Sequence, residues 1–277
     1  MDRKKLNCKV CSKESVFFGE VDFNKSGNDY FIGKRTFPKS NELVAYYRCT
    51  NCGYLFTDFF DNWKSEDYRE KIYNDEYIRA DPPFETERPL KLFEILDEIL
   101  DETFKKKSIL DYGGGAGKLV DLLQDAGYVN SENYDPFYHQ NRLKRKKYDV
   151  ITCFEVIEHV PNQQEFWSDI FSLLKKNGII IFTTLVQPDD IGLQGVDWWY
   201  ICPRNGHVGF HTIDSLKLAI ESHSLKYELL NEQLHLAKTI NSQVLEISKD
   251  NLVSIFSEIE IEVDENESCL EQSAKRQ

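Results

Sequence analysis

The sequence has little positive charge and lacks a long apolar run. Its 277 residues include 34 Lys and Arg against 47 Asp and Glu, so the formal net charge is −13. Because phosphate backbones bind to basic surfaces, this balance argues against a general nucleic-acid partner. No segment approaches the run of about 20 apolar residues that a membrane-spanning helix needs, so we expect no membrane partner.

The N-terminus also lacks the apolar segment that follows the basic start of a signal peptide. We therefore expect a cytoplasmic protein. With 41% hydrophobic and 29% charged residues, the composition is that of a globular chain. The length allows one large domain and a small one. No feature of the sequence points to a particular oligomeric state.

Seven cysteines include two C-x-x-C pairs. The pairs are Cys8 with Cys11 and Cys49 with Cys52. In a reducing compartment such pairs are metal ligands more often than disulfides. Four thiolates complete a tetrahedral structural zinc site and leave no position for water. We predict a zinc-binding module over residues 1–62, with a hairpin of residues 15–23 and 43–47; fortuitous buried thiols and a redox-active pair are the alternatives.

Further patterns divide the rest of the chain. Residues 63–104 carry apolar side chains at helical spacing, which predicts helices that form a lid or linker. The main domain covers residues 105–250, and residues 251–277 form an acidic, weakly patterned tail.

The main domain begins with a segment that predicts a strand, a tight turn and a helix. An apolar run ends at Asp111, glycines follow at positions 113, 114, 115 and 117, and apolar residues then recur at helical spacing. Glycine suits such a turn because the chain needs positive φ and a close approach to a ligand. The unpaired N–H groups of the helix N-terminus also face that ligand. This arrangement indicates the nucleotide-binding half of a doubly wound α/β sheet.

The next elements complete that sheet. A second strand ends at Asp135, and only residues 136–148 separate it from the following strand, so we expect the third strand of the usual fold to be missing or reduced. The later segments are predicted as a strand over 148–155, a central strand over 179–184, a helix over 212–222 and closing antiparallel strands over 227–236 and 243–247.

The spacing Asp111-x-Gly113-x-Gly115-x-Gly117 resembles motif I of the class I S-adenosylmethionine-dependent methyltransferases. The resemblance implies a Rossmann-like, mostly parallel sheet with an antiparallel last strand. It also implies S-adenosylmethionine as cofactor, with the first acid near the methionine ammonium and Asp135 on the ribose hydroxyls. A glycine turn of another α/β nucleotide binder is the alternative. The implied cofactor-binding residues are Asp111, Gly113, Gly115, Gly117, Asp135, Pro136, Phe154, Glu155 and, on a closing helix, Tyr77.

Residues 154–162 resemble the E-x-x-E-H stretch of ubiquinone-type O-methyltransferases. Glu158 and His159 then have two interpretations. They form a network that fixes the loop, or they act near the methyl group, with His159 as a base or with both residues binding a divalent ion together with Glu155.

The segment after the central strand concentrates side chains that suit substrate binding. These are Trp198, Trp199, Tyr200, Arg204, His207 and His211. The three aromatic rings can stack on a sugar or an aromatic ring, and the arginine can bind a phosphate or carboxylate. Either histidine can accept the proton of the methylated group. The alternative is a packing loop in which His207 binds a backbone carbonyl.

These features predict a methyltransferase that acts on a small molecule. A four-cysteine module ahead of such a domain resembles the deoxysugar C-methyltransferases, and the aromatic loop resembles enzymes of surface-polysaccharide and natural-product pathways. We therefore expect a sugar or sugar-nucleotide acceptor, with O-methylation favoured over C-methylation. The alternatives are a nucleic-acid or protein methyltransferase that uses the zinc module for recognition, and a non-catalytic cofactor-binding protein.

Overall fold

A computed structural model of the protein describes residues 5–84, 87–138 and 146–239. This part of the chain contains two β-sheets and short helices. The strands are β1 (Leu6–Asn7), β2 (Glu14–Asp22), β3 (Leu43–Cys49), β4 (Leu55–Phe56), β5 (Ile109–Tyr112), β6 (Ser131–Tyr134), β7 (Tyr148–Phe154), β8 (Leu174–Thr183), β9 (Gly209–Phe210), β10 (Leu225–Leu229) and β11 (Leu234–Thr239). The α-helices are α1 (Asn28–Phe31), α2 (Ser65–Lys71), α3 (Tyr77–Ala80), α4 (Glu87–Ile99), α5 (Lys118–Asp125), α6 (Gln163–Leu173), α7 (Ile191–Gln194) and α8 (Ile213–Glu221).

The larger sheet has the strand order β10-β11-β8-β7-β5-β6. Strands β6, β5, β7 and β8 are parallel, and β11 and β10 close the sheet antiparallel. Residues such as Val150 and Ile180 are fully buried, as expected for central strands that are covered by helices on both faces. The predicted Rossmann-like fold, mostly parallel with an antiparallel last strand, is confirmed.

The edge of this sheet agrees with the prediction of a missing third strand. No strand is found between Tyr134 and Tyr148 in the residues that the structure describes there, which exclude 139–145. The closing hairpin differs from the prediction because the chain turns at residues 230–233, so that one predicted strand is divided between β10 and β11. The predicted strand 243–247 and the acidic tail lie outside the described residues.

The smaller sheet has the order β1-β2-β3-β4-β9 and is antiparallel throughout. The predicted hairpin is present as the β2–β3 pair, with a bulge near Phe17. Its last strand, β9, comes from the far end of the chain, so the cysteine module shares its sheet with the main domain. The division of the chain into units stays a prediction.

The helices of residues 63–104 pack against both sheets. Helix α4 buries Ile95, Leu96 and Ile99 against the larger sheet, as its apolar periodicity predicts. Helices α2 and α3 pack their tyrosines into the core beside the smaller sheet. Within the described ranges, no helix combines the length and the apolarity that crossing a membrane would require.

Candidate active site

A cavity of about 1480 Å³ lies at the carboxyl ends of β5, β6 and β7. In open α/β sheets this edge is where ligands bind. Single-ligand pockets usually measure about 300–1,000 Å³, so this cavity has room for a cofactor and a second small molecule.

The glycine turn after β5 forms one wall of the cavity. Gly113 has φ +83°, and a Cβ there would lie 2.4 Å from Cγ2 of Val156, so no larger residue fits. Gly117 has φ +89° and is the residue from which α5 starts. Gly113 and Gly115 line the cavity, whereas Gly117 does not. The predicted strand, turn and helix are therefore present, and the turn presents backbone to the cavity.

Two aspartates flank this turn and line the cavity. Asp111 is buried, accepts a hydrogen bond from Thr152 Oγ1 at 2.8 Å, and burial raises its pKa to about 6. Asp135 follows β6 directly and accepts hydrogen bonds from the backbone N–H groups of Gly115 and Phe137. The cavity edge thus offers two carboxylates beside exposed backbone.

Other predicted cofactor residues also reach the cavity, namely Tyr77, Pro136, Phe154 and Glu155. Their contacts with a cofactor stay predictions. Arg88 also lines the cavity, from α4, and was not predicted. Its guanidinium forms a two-point ion pair with Asp81 at 2.8 and 2.9 Å. Its helix was predicted from apolar periodicity, which carries no signal for a charged residue on the opposite face.

Glu155 has an unusual backbone conformation. It follows β7 with φ +52°, a backbone angle that residues other than glycine seldom adopt. Its N–H donates to Thr183 Oγ1, and that hydroxyl donates to the Glu155 carboxylate at 2.8 Å. These two hydrogen bonds hold the strained residue at the cavity wall.

His159 and His207 form the far wall of the cavity, with ring centroids 4.8 Å apart. Nδ1 of His159 lies 3.2 Å from the Gly206 carbonyl oxygen, and Nδ1 of His207 lies 2.9 Å from that of Tyr200. A carbonyl only accepts hydrogen bonds, so Nδ1 of His207 carries the proton and its Nε2 has a lone pair. Nδ1 of His159 also lies 3.3 Å from the Tyr73 hydroxyl, which can donate or accept. Burial lowers the pKa of His207 to about 4 and holds that of His159 well below its usual range.

Glu158 is fully buried behind these histidines. Tyr200 donates its hydroxyl to Oε1 at 2.6 Å, and Thr184 donates to Oε2 at 3.3 Å. Burial, followed by the charge of Glu155, raises the pKa of Glu158 to about 8. Glu158 therefore belongs to a hydrogen-bonded network that fixes the loop.

The possible metal ligands that the structure brings together differ from the set that was predicted for a divalent ion. One ligand atom each of Glu158, His159 and His207 lies within 4.8 Å of the others, whereas Glu155 is not part of this cluster. The divalent ion itself stays a prediction.

Comparison with known proteins identifies the family to which this site belongs. A family described as a methyltransferase domain matches residues 84–229, more than half of the chain. The chain belongs to this methyltransferase family. The matched range contains the glycine turn, both aspartates and the two histidines that line the cavity.

Curated relatives of the methyltransferase domain carry the name ubiquinone biosynthesis O-methyltransferase. That of Rickettsia canadensis is 31% identical in an alignment of length 132 that covers 39% of this chain and 56% of the relative. That of Rickettsia typhi is 32% identical in an alignment of length 113 that covers 33% of this chain and 46% of the relative. The chain thus spans about half the length of the curated relatives it matches.

Solved structures resemble this chain more distantly. An O-methyltransferase family protein from Burkholderia thailandensis has a TM-score of 0.45 and 13% identity, covering 64% of each chain. Human N-acetylserotonin methyltransferase has a TM-score of 0.45 and 11% identity, covering 65% of this chain and 59% of its own.

Two of the predicted substrate contacts lie outside the lining of the cavity. Trp198 and Arg204 are 4% and 3% exposed and do not line the cavity, whereas Trp199 and Tyr200 do. The Arg204 guanidinium donates to the Ile72 carbonyl oxygen and to Asn74 Oδ1, both at 3.0 Å. These two hydrogen bonds join residue 204 to the segment after α2, so the guanidinium is bound within the fold.

The third predicted histidine, His211, also lies outside the cavity lining. It is fully buried. Its Nδ1 lies 2.8 Å from Ser215 Oγ, and its Nε2 lies 3.1 Å from Gln163 Oε1. Burial lowers its pKa to about 3. His211 is a packing residue between α6 and α8, since both of its ring nitrogens are bound within the fold.

The four paired cysteines converge in the smaller sheet. The Sγ atoms of Cys8 and Cys52 are 3.7 Å apart, those of Cys11 and Cys49 are 3.5 Å apart, and all four lie within 4.8 Å of one another. A tetrahedral site with Zn–S bonds of about 2.3 Å has S–S distances of about 3.8 Å. Backbone N–H groups of Val10, Asn51 and Cys52 donate to sulfur, as they do around bound thiolates.

Proposed function

We propose that this protein transfers a methyl group from S-adenosylmethionine to a hydroxyl of a small molecule that carries a neutral ring. One observation carries the proposal: a single cavity joins the glycine turn and its two aspartates to a pair of uncharged histidines. The cavity would therefore bind the cofactor and the acceptor in adjoining positions.

The described residues fit the cofactor. The glycine turn exposes backbone at Gly113 and Gly115, and buried Asp111 would be stabilised in its ionised form by a cationic group such as the methionine ammonium. The carboxylate of Asp135 is an acceptor of the kind that ribose hydroxyls require. When bound, the cofactor supplies a methyl group on a positively charged sulfur.

His159 and His207 are the candidate proton acceptors. Both are uncharged and keep a ring lone pair, and that of His207 is on Nε2 because its Nδ1 donates to the Tyr200 carbonyl. A base in this position typically contributes a factor of 10²–10⁴, and alignment of the reacting groups contributes the rest. In this proposal the histidine pair orients the acceptor hydroxyl and takes up its proton.

The charges of the cavity favour a neutral acceptor. Among the described residues that line it, the cations are Lys118 beside the glycine turn and Arg88, which is paired with Asp81. Arg204, the residue predicted to bind a phosphate, donates to the protein instead. A sugar-nucleotide diphosphate therefore has no evident partner on the acceptor side, while a phenol or an uncharged sugar ring would be accommodated.

We further propose that the four cysteines hold one structural zinc ion. Four thiolates leave no position for water, so the ion would take no part in the reaction. Its effect would be to hold the turns of the smaller sheet together.

Two measurements test the methyl transfer. Calorimetry with S-adenosylhomocysteine should show binding, and methyl-labelled S-adenosylmethionine should label catechol or methyl glucoside in preference to UDP-glucose. Absence of S-adenosylhomocysteine binding would overturn the proposal. A preference for UDP-glucose would contradict the neutral acceptor, and label in bulk RNA or in protein would support the macromolecular alternative.

A further inference from the structure

An aromatic turn of the smaller sheet reaches the acceptor end of the cavity. Tyr30 and Phe31 in α1 are 65% and 56% exposed, yet Phe31 lines the cavity together with Trp199. The Phe31 ring meets Trp199 edge-on at 5.2 Å, and Tyr30 stacks on Trp199 at 6.1 Å. A cluster of exposed aromatic side chains at a cavity mouth is typical of a surface that a ligand covers.

The chain leading into this turn is held firmly against the aromatic loop of the main domain. The Gly27 N–H donates to Asn205 Oδ1 at 3.0 Å in a buried contact. Lys25 Nζ donates to the carbonyl oxygens of Val196 and Trp198 at 2.7 and 3.0 Å. Because both sides of the contact are fixed before any ligand arrives, little ordering would be needed on binding.

A continuous series of rings connects this turn with the histidines. The centroid distances are 5.2 Å from Phe31 to Trp199, 5.3 Å from Trp199 to Tyr200, 4.4 Å from Tyr200 to His207 and 4.8 Å from His207 to His159. An acceptor whose hydroxyl meets the histidines would therefore extend its far end along these rings, toward Trp199 and Phe31.

We propose, on the basis of the function proposed above, that Phe31 and Trp199 form a subsite for an apolar, aromatic group of the acceptor that lies remote from the methylated hydroxyl. The cysteine module thereby contributes a specificity-determining residue to the active site. Aromatic rings bind such a group by area burial and by offset or edge-to-face contact.

Binding of two probes to the S-adenosylhomocysteine-saturated protein tests the subsite. The probes are catechol and 4-phenylcatechol, which differ only in an apolar ring. The wild-type protein should bind 4-phenylcatechol about tenfold more tightly than catechol or better, as burial of a phenyl ring predicts. Phe31→Ala should remove most of that preference and leave the affinity for catechol unchanged.

Ile32→Ala is the matched control, because Ile32 is 43% exposed in the same turn and does not line the cavity. It should leave both affinities as they are. The proposal is overturned if the wild-type protein binds neither probe, if it shows no preference, or if Phe31→Ala weakens both probes equally. A Phe31-dependent preference without any methyl transfer to either probe supports the subsite while contradicting the proposed function.

Discussion

The two halves of the cavity are built in different ways. The cofactor half comes from consecutive strand ends and the turns after them, between β5 and residue 155, where parallel strands necessarily end at one edge. The acceptor half is assembled from the turn α1, the helices α2 and α3, residues 157–159 and the loop of residues 195–211. The first half is therefore local in sequence, whereas the second depends on contacts between distant segments.

The smaller sheet explains how the acceptor half is held. The Thr57 N–H donates to the Val208 carbonyl at 3.0 Å, and the Tyr46 hydroxyl donates to the carbonyl of His207 at 2.9 Å. The Thr212 hydroxyl donates to the Cys52 carbonyl at 2.6 Å. The cysteine module thus supports the segment that carries His207, and a change in the module should reach the acceptor half before the cofactor half.

The largest expected effect is a loss of turnover that leaves cofactor binding intact. His207→Gln and His159→Gln should each lower turnover by about 10²–10⁴-fold, because a proton acceptor is lost. Their affinity for S-adenosylhomocysteine in calorimetry should stay unchanged. His223→Gln, at an exposed position after α8, is the control with normal turnover. An equal loss of cofactor affinity would show that the two halves are not separate.

The second largest effect should follow from loss of the proposed zinc ion. Cys49→Ser should reduce the zinc content from about one ion per chain to near zero. Turnover should fall by about 10²-fold, since small displacements of reacting groups have effects of that size, while cofactor affinity stays within a few-fold. Cys153→Ala, a buried thiol outside the cluster, should retain the metal. Zinc-free protein with normal turnover would contradict the support that we assign to the module.

A smaller effect concerns acid stability and His211. Its pKa is lowered to about 3 in the fold against about 6.5 when unfolded, so the unfolded chain binds more protons below pH 6.5. The free energy of unfolding should therefore fall as the pH drops from 6.5 toward 3, by about 2 kcal/mol from this residue at pH 5. Denaturant unfolding of His211→Gln should show a weaker pH dependence than that of His223→Gln, because His223 lies at an exposed position where burial lowers its pKa less. An unchanged slope would mean that His211 is protonated in the fold.

The smallest expected effect lies in the cofactor half. Asp135→Asn should weaken S-adenosylhomocysteine binding by about tenfold, because a charged hydrogen-bond acceptor for the ribose is replaced by a neutral one. Asp149→Asn is the matched control, since its carboxylate accepts from Ser108 and Lys175 at the opposite ends of the strands. Equal affinities for the wild type and Asp135→Asn would place the ribose elsewhere.

Much of the fold and of the cofactor half could be predicted because its signals are local. Apolar periodicity, the glycines at 113 and 117 and the acid that ends β6 each reflect a constraint within a few residues. The paired cysteines belong to this class, since a C-x-x-C spacing presents two thiols on one turn. The divided closing hairpin was missed because its turn, Asn231 to Gln233, contains neither glycine nor proline, the residues that most strongly signal a turn.

The sequence by itself determined the nucleotide-type sheet, its glycine turn and the cysteine cluster, because short-range sterics and side-chain chemistry suffice for them. Only the tertiary structure decided which of three histidines face the cavity, that Arg204 binds backbone instead of substrate, and that Phe31 stands beside Trp199. Those outcomes depend on the packing of segments more than a hundred residues apart, and residue type alone carries no information about which neighbour each side chain meets.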